Sequence, residues 1–299
     1  MSNCSIRGSV LNSTLMLALF KILPLLVALT TPLGRVSWGG EAQNAFHEGV
    51  KHHQAGRFKE AIAAYDRAIK ASPDASEAYN NRGLAYQKLG QIGNALKDYD
   101  QAVKLNPTFT DALYNRGNAL LAQKQYERAI KDLDQVIKQN PNMPKAYDQR
   151  GQAYSGLGQY DNAIKDFNQS QKLDPKDPDI YYSRGLAYRR LGKPELAVQD
   201  YSEAIKLDPK NAEAYNNRAN AYSLLGQFNH ALRDYDHAIK LDPKNARIYA
   251  NRGMVKLRQG KGEDAQTDFN KAVELEPRLK DQIQSITSDQ KGASADKKQ

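Results

Sequence analysis

Small and apolar residues return to the same places in this chain every 34 residues. Prolines mark the beat: Pro73, Pro107, Pro141, Pro175, Pro209, Pro243 and Pro277. With each proline taken as position 32 of a unit, seven units start at 42, 76, 110, 144, 178, 212 and 246. Position 8 is glycine in six units and Ala219 in the other; position 20 is alanine in all seven. Position 24 is aromatic everywhere except at Leu133, and position 27 is small or β-branched throughout. Positions 4, 8 and 11 share one face of a helix, and positions 20, 24 and 27 share one face of a second. The pattern therefore predicts two helices per unit, with small residues where the pair approaches closely. A glycine at position 15 (Gly56, Gly90, Gly158, Gly192, Gly226, Gly260) closes the first helix in the left-handed conformation. Lys124 takes that place in the third unit and predicts its most strained turn. Asp-Pro or Asn-Pro ends most second helices. Pro194 falls at the start of a second helix, where proline is tolerated.

A fixed period of this length specifies a repeat array. Each unit packs on its neighbours, and function lies in an extended surface rather than one pocket. The residues at positions 4, 8, 11, 20, 24, 27 and 32 resemble the tetratricopeptide repeat family over 42–279. The resemblance implies an all-α fold, a right-handed superhelical solenoid of antiparallel helix pairs. It also implies that first helices line the concave face and grip ligands from positions 2, 5, 6, 9, 12 and 13.

The chain ends depart from the period. Residues 1–40 hold Arg7, Lys21 and Arg35 and no acid, and Leu15 to Leu29 is mostly apolar. Lys21 and Pro24 interrupt that run, which reads as a secretory signal rather than a membrane span. Ser37 and Gly39 are small at a cleavage spacing, so the expected location is periplasmic or secreted. The alternative is an uncleaved anchor, which would confine any membrane contact to 15–29; Met16 is an alternative start. Beyond Pro277, Leu279, Ile283 and Ile286 predict a short capping helix over 279–286, followed by a polar, disordered tail at 287–299. The lone Cys4 lies in the signal, which excludes disulfides within the mature chain. The formal charge is +9, of which +3 belongs to the first 40 residues. The remaining bases alternate with acids, so the charge does not form a nucleic-acid stripe. A mean hydropathy of −0.73 suits a thin array with much surface.

One departure from the family pattern recurs. Position 7, usually leucine, is Arg82, Arg116, Arg150, Arg184, Arg218 and Arg252; position 23 is Asp98, Asp132, Asp166, Asp200, Asp234 and Asp268. The first unit has Glu48 and Ala64 and lacks both. Their co-occurrence predicts that each arginine reaches an aspartate on a neighbouring second helix. The planar guanidinium suits a partly buried carboxylate.

The candidate binding residues lie on the first helices. Position 6 offers Asn81, Asn115, Gln149, Asn217 and Asn251, and position 9 adds Asn118 and Asn220. An asparagine both donates and accepts, so a row of them can pair with a peptide backbone of any sequence. The row is similar to the asparagine ladder in the repeat domain of O-linked N-acetylglucosamine transferases, interrupted here by Gln149 and Ser183. Its other role would be to tie neighbouring helices together. Tyr114 and Tyr182 at position 5 would stack on ligand side chains. Position 5 holds no lysine, so the family's carboxylate clamp is not expected. His47, His52, His53, His230 and His237 show no metal-ligand spacing, and no nucleophile elbow or phosphate loop occurs. The sequence reading is a non-catalytic adaptor, without cofactor or metal, for a protein or peptide partner. Self-association is its alternative, cued by Phe46, Val50 and Phe58 at the divergent first unit; an accessory role to an envelope enzyme is a special case of the adaptor.

Overall fold

A computed structural model describes residues 39–285 and 287. The expected signal at 1–38, Ile286 of the expected cap and the tail at 288–299 lie outside the described residues. The first helices are α1 (Gly40–Gln54), α3 (Ser76–Lys88), α5 (Thr110–Ala122), α7 (Pro144–Gly156), α9 (Pro178–Arg190), α11 (Ala212–Leu224) and α13 (Ala246–Arg258). The second helices are α2 (Phe58–Ala71), α4 (Ile92–Leu105), α6 (Tyr126–Gln139), α8 (Tyr160–Leu173), α10 (Pro194–Leu207), α12 (Phe228–Leu241) and α14 (Gly262–Leu275). A 3-10 turn, Pro277–Leu279, follows. The fold is all-α, a solenoid of antiparallel helix pairs.

The chain divides into two compact units, Met1–Asn162 and Ala163–Gln299. In the first, α1 packs on α2, α3 on α4 and α5 on α6, and α2, α4 and α6 each pack on the next first helix. In the second, the pairs are α9 with α10, α11 with α12 and α13 with α14, joined through α10–α11 and α12–α13. Within each unit, successive first helices also touch one another.

Most of these helices have 13 or 14 residues, a length that is marginal alone in water. Side-chain N-caps are seen at α9 and α11, from Asp177 and Asn211. Packing holds the rest. The second-helix stripe of alanine and aromatic residues is fully buried, as in Ala95, Tyr99 and Ala102. Its aromatic explains the glycine at position 8: a Cβ added at Gly83 would meet Tyr99 Cε1 at 2.7 Å. The six position-15 glycines have φ between 70° and 77°. Lys124, at φ 58°, is the one non-glycine residue in that region among the described residues. Its turn keeps the usual closing bond, with Gln125 N–H donating to Leu120 O at 2.9 Å.

Five arginines of the row, Arg82, Arg116, Arg184, Arg218 and Arg252, form the contact their pattern predicts, and more. Arg82 forks onto Asp98, with Nε and Nη2 donating at 2.8 and 2.6 Å, while Nη1 donates to Asp66 of the preceding pair at 2.6 Å. Arg116 repeats this with Asp132 and Asp100, and Arg252 with Asp268 and Asp236. Arg150 reaches Asp134 at 2.6 Å. Arg184 forks onto Asp200 and reaches Asn168 and Gln171; Arg218 forks onto Asp234 and reaches Ser202. Arg82, Arg116, Arg184, Arg218 and Arg252 therefore each join their own second helix to the previous one. Tyrosines one turn either side flank the guanidinium, at 5.4 Å for Tyr79 and 6.0 Å for Tyr86 around Arg82. The Asp98 carboxylate stands above its ordinary range because burial outweighs the Arg82 bonds. Arg82 is itself raised, since two carboxylates outweigh the burial that opposes its charge. In the first unit Glu48 turns instead to Arg67 at 2.6 Å.

Phe46 and Val50 are buried in the core of the first pairs, and Phe58 is half-buried against it. The exposed apolar end that cued self-association is thus not formed by these three side chains. At the other end, residues 280–285 are helical, and Ile283 and Leu279 pack against Phe269. Thr287 is also helical, with Oγ1 donating to Ile283 O at 3.0 Å.

Candidate functional site

The adjacent first helices bring the asparagine row together in each unit, and the row is more buried than an open ladder. Asn81 and Asn115 are fully buried, Asn118 is 1 % exposed, and Gln149 and Asn217 are nearly so. Asn220 and Asn251 are half-buried.

The structure separates two roles within this row. Several amides tie one first helix to the next. Asn115 Nδ2 donates to Asn80 Oδ1 at 3.0 Å, and Asn80 Nδ2 donates to Asn81 Oδ1 at 3.2 Å. Asn251 Nδ2 donates to Asn216 Oδ1 at 3.1 Å, and Asn217 Nδ2 donates to the Tyr182 hydroxyl at 3.0 Å. Asn220 accepts from the Tyr235 hydroxyl at 2.7 Å. The partner at position 5, Asn80 or Asn216, was not singled out in the sequence. Its signal is present there: asparagine at position 5 precedes asparagine at position 6 of the next unit at both places.

Other polar atoms of the row are left with unused bonding capacity among the described residues. Asn81 Nδ2, both amide atoms of Asn118, the Tyr114 hydroxyl and Gln149 Oε1 are buried without a well-aligned hydrogen bond among the described residues, with Tyr114 and Asn118 facing each other. Buried polar atoms without partners are rare and costly, so such a cluster points to water or a ligand. Burial pushes the Tyr114 phenol up to about 12. It remains a neutral donor at ordinary pH. Tyr182 is half-buried, its hydroxyl accepts from Asn217 and its ring packs tilted against Tyr201 at 6.0 Å, so it serves the core as well as the face.

The rest of the surface offers little chemistry. A cavity of about 330 Å³ between α11 and α12 is lined by Tyr215, Arg218, Tyr222, His230, Arg233, Asp234 and His237. His237 stacks on Tyr215 at 5.4 Å and His230 packs on Tyr222 at 5.1 Å, an arrangement of rings rather than of converging ligands. Among the described residues no group of three or more histidine, cysteine or acidic side chains is arranged to hold a metal. No described helix is long and apolar enough to cross a membrane.

Family models described as TPR repeat match residues 49–90, 156–192 and 185–226; others described as Tetratricopeptide repeat match 76–109, 110–143, 212–245 and 234–267. Together they span more than half of the 299 residues. No curated protein matches the chain. Among solved structures, a tetratricopeptide repeat protein from Parabacteroides merdae is 21 % identical at TM-score 0.65, covering 82 % of this chain and 98 % of its own. The protein MamA is 30 % identical at TM-score 0.51, covering 55 % and 96 %. YrrB, described as a TPR protein with an unusual peptide-binding site, is 21 % identical at TM-score 0.53, covering 66 % and 98 %.

Proposed function

The chain belongs to the tetratricopeptide repeat family, and we propose that it is a non-catalytic adaptor whose first-helix face binds an extended segment of a partner protein. The observation that carries this reading is a set of buried polar atoms on that face that lack a well-aligned hydrogen bond among the described residues: Asn81 Nδ2, the Tyr114 hydroxyl, the Asn118 amide and Gln149 Oε1. An extended peptide presents alternating backbone donors and acceptors, which such amides match without reading sequence. The amides that tie helices together hold the others in place. We place the protein in the cell envelope, periplasmic or secreted. The apolar run at Leu15 to Leu29 and the small residues Ser37 and Gly39 support that location.

Site-specific photo-crosslinking tests the surface. Crosslinkers at Gln152 and Asn220 on first helices are compared with ones at Lys104 and Lys240 on second helices, in the native host. Partner adducts from the first-helix sites alone are the expected result. Adducts only from Lys104 and Lys240 move binding to the outer face, and adducts only to a second copy make the protein a self-assembling scaffold. N-terminal sequencing of the protein from an envelope fraction tests the location; an intact residue 1 in a cytoplasmic fraction overturns it.

A further inference from the structure

The cavity of about 330 Å³ between α11 and α12 holds no converging metal ligands, but its hydrogen bonding is one-sided. Its one acid is Asp234, and both oxygens are taken, Oδ1 by Arg218 Nη2 and Oδ2 by Arg218 Nε. Donors are in excess. A guanidinium has more N–H groups than nitrogens. Arg218 uses one bond from each nitrogen, the last from Nη1 to Ser202 Oγ at 3.0 Å. Arg233 uses only Nε, on Asn229 O at 3.4 Å. The side chains of His230, His237, Tyr215 and Tyr222 form no hydrogen bond among the described residues.

The repeat supplies its own comparison. Arg82, Arg116 and Arg252 each hold two carboxylates, the second from position 25 of the preceding pair. Ser202 stands at that position before Arg218, and a hydroxyl brings no charge. Arg184 also lacks the second carboxylate, but two amide oxygens, from Asn168 and Gln171, accept from its Nη1. Glu203, next to Ser202, is paired with Lys206 at 3.3 Å. Positions 19 and 26 are both histidine in this pair alone; they are Asn94 and Gln101 in α4, and Asn162 and Gln169 in α8. His237 stacks on Tyr215 and His230 leans on Tyr222. Arg218 lies between these ring pairs, its Cζ 5.6 and 5.9 Å from the two tyrosine centroids. The cavity is thus walled by rings, rich in donors and short of an acceptor, and Arg218 and Arg233 outnumber Asp234.

We propose that this cavity binds a small aromatic oxyanion, a carboxylate or phosphate group carried on a flat apolar ring. The anionic end accepts from the N–H groups of Arg218 and Arg233 that Asp234 leaves over, and the ring lies against the imidazoles of His230 and His237. The anion restores the charge that Ser202 leaves out. The site uses positions 4, 7 and 11 of α11, a different stripe from Asn217 and Asn220 at positions 6 and 9. It is therefore separate from the partner-binding face and does not rest on that reading.

Isothermal titration calorimetry on the full chain tests this with benzoate, phenyl phosphate, neutral benzamide and inorganic phosphate. Benzoate or phenyl phosphate is expected to bind about tenfold tighter than benzamide, and phenyl phosphate about tenfold tighter than inorganic phosphate. Whichever of the two ring anions binds more tightly names the anionic group. S202D restores the carboxylate that Asp66, Asp100, Asp134 and Asp236 supply elsewhere and should lose the preference for the anion, with wild-type circular dichroism showing that it folds. R233Q changes an exposed side chain and should lose part of that preference. H230N/H237Q also changes exposed side chains, gives the cavity the residues of α4 and α8, and should lose the preference for the ring. K240Q removes an exposed cation from the same helix outside the cavity and should change nothing. The imidazole resonances of His230 and His237 should move on titration while those of His47 and His52 stay. Equal binding of the ring anions and benzamide, or anion binding unchanged in both S202D and R233Q, overturns the proposal. Inorganic phosphate binding as tightly as phenyl phosphate means an adventitious ion only and overturns the aromatic assignment, as does an unchanged ring preference in H230N/H237Q. Equal loss in K240Q reduces the effect to net charge and overturns the site.

Discussion

Removing Arg116 alone leaves Asp132, 5 % exposed, as a charge without its fork of donors. A broken buried pair costs about 3–5 kcal/mol, whereas replacing both partners with apolar residues is often neutral. R116L is therefore expected to lower the urea midpoint strongly, and R116L/D132L to restore much of it. Equal midpoints for the two variants would mean that Asp132 does not depend on Arg116. Lys124 makes the opposite prediction. Its backbone sits at φ 58°, where a side chain costs about 1 kcal/mol relative to glycine. Lys124→Gly should raise the melting temperature, and a fall would mean that the lysine side chain contributes more than its backbone loses. His53 supplies a pH dependence. Burial, with Lys88 nearby, lowers it to about 4, its Nδ1 has no partner, and the Phe58 ring packs edge-on against it at 5.2 Å. The folded state thus refuses a proton that the unfolded chain accepts near pH 6.5. Its contribution is complete above pH 6.5 and is lost as pH falls toward about 4, with a ceiling of about 3 kcal/mol. His53→Leu should flatten the difference in urea midpoint between pH 7 and pH 4.5 relative to wild type. An unchanged difference would assign the acid sensitivity to other groups.

Two glycines show how one residue type acts oppositely in different helices. Gly83, inside α3, lies against the fully buried Tyr99 ring of α4, where an added Cβ would meet Cε1 at 2.7 Å. Gly93, in the first turn of α4, is exposed and would meet nothing within 4 Å. G83A should destabilise by about 1–3 kcal/mol through overpacking, and G93A should stabilise by about 0.5–1 kcal/mol by raising helix propensity. Thermal melts of the two variants check the signs; the same sign for both would refute the packing account. At this scale the sequence was most legible. The 34-residue period located both helices of each pair, because small residues and glycines recur wherever backbones or rings must meet. Less legible was the second acceptor of each arginine. Asp66, Asp100, Asp134 and Asp236 recur at position 25, but Asn168 and Ser202 break the row, and only the packing of successive second helices shows that it matters. The asparagine row was legible as a row but not as two roles. A residue's own spacing says which face it occupies, not whether a neighbour 35 positions away already satisfies it, as Asn80 does for Asn115.

Within each compact unit, the principal partners of a helix are the next one or two helices in the chain. Among the described residues of each unit, no helix pair packs mainly on a distant one, so stability approximates a sum of pair and neighbour terms. A local injury should then open a local segment before the chain unfolds. D132A tests this. It removes the acceptor of the Arg116 fork and leaves that guanidinium with only the exposed Asp100. Amide exchange is expected to quicken in α5 and α6 and in their neighbours α4 and α7, while α12 to α14 keep wild-type rates in the same sample. A uniform acceleration from α1 to α14 would show one cooperative unit, and nearest-neighbour bookkeeping would not describe this chain. The outcome also bears on binding. If the pairs open independently, a partner segment that spans several first helices couples them on binding, because each pair it orders reduces the ordering cost at the next. Exchange in the presence of the crosslinked partner should then slow together across every first helix the segment covers, Asn80 and Asn115 included.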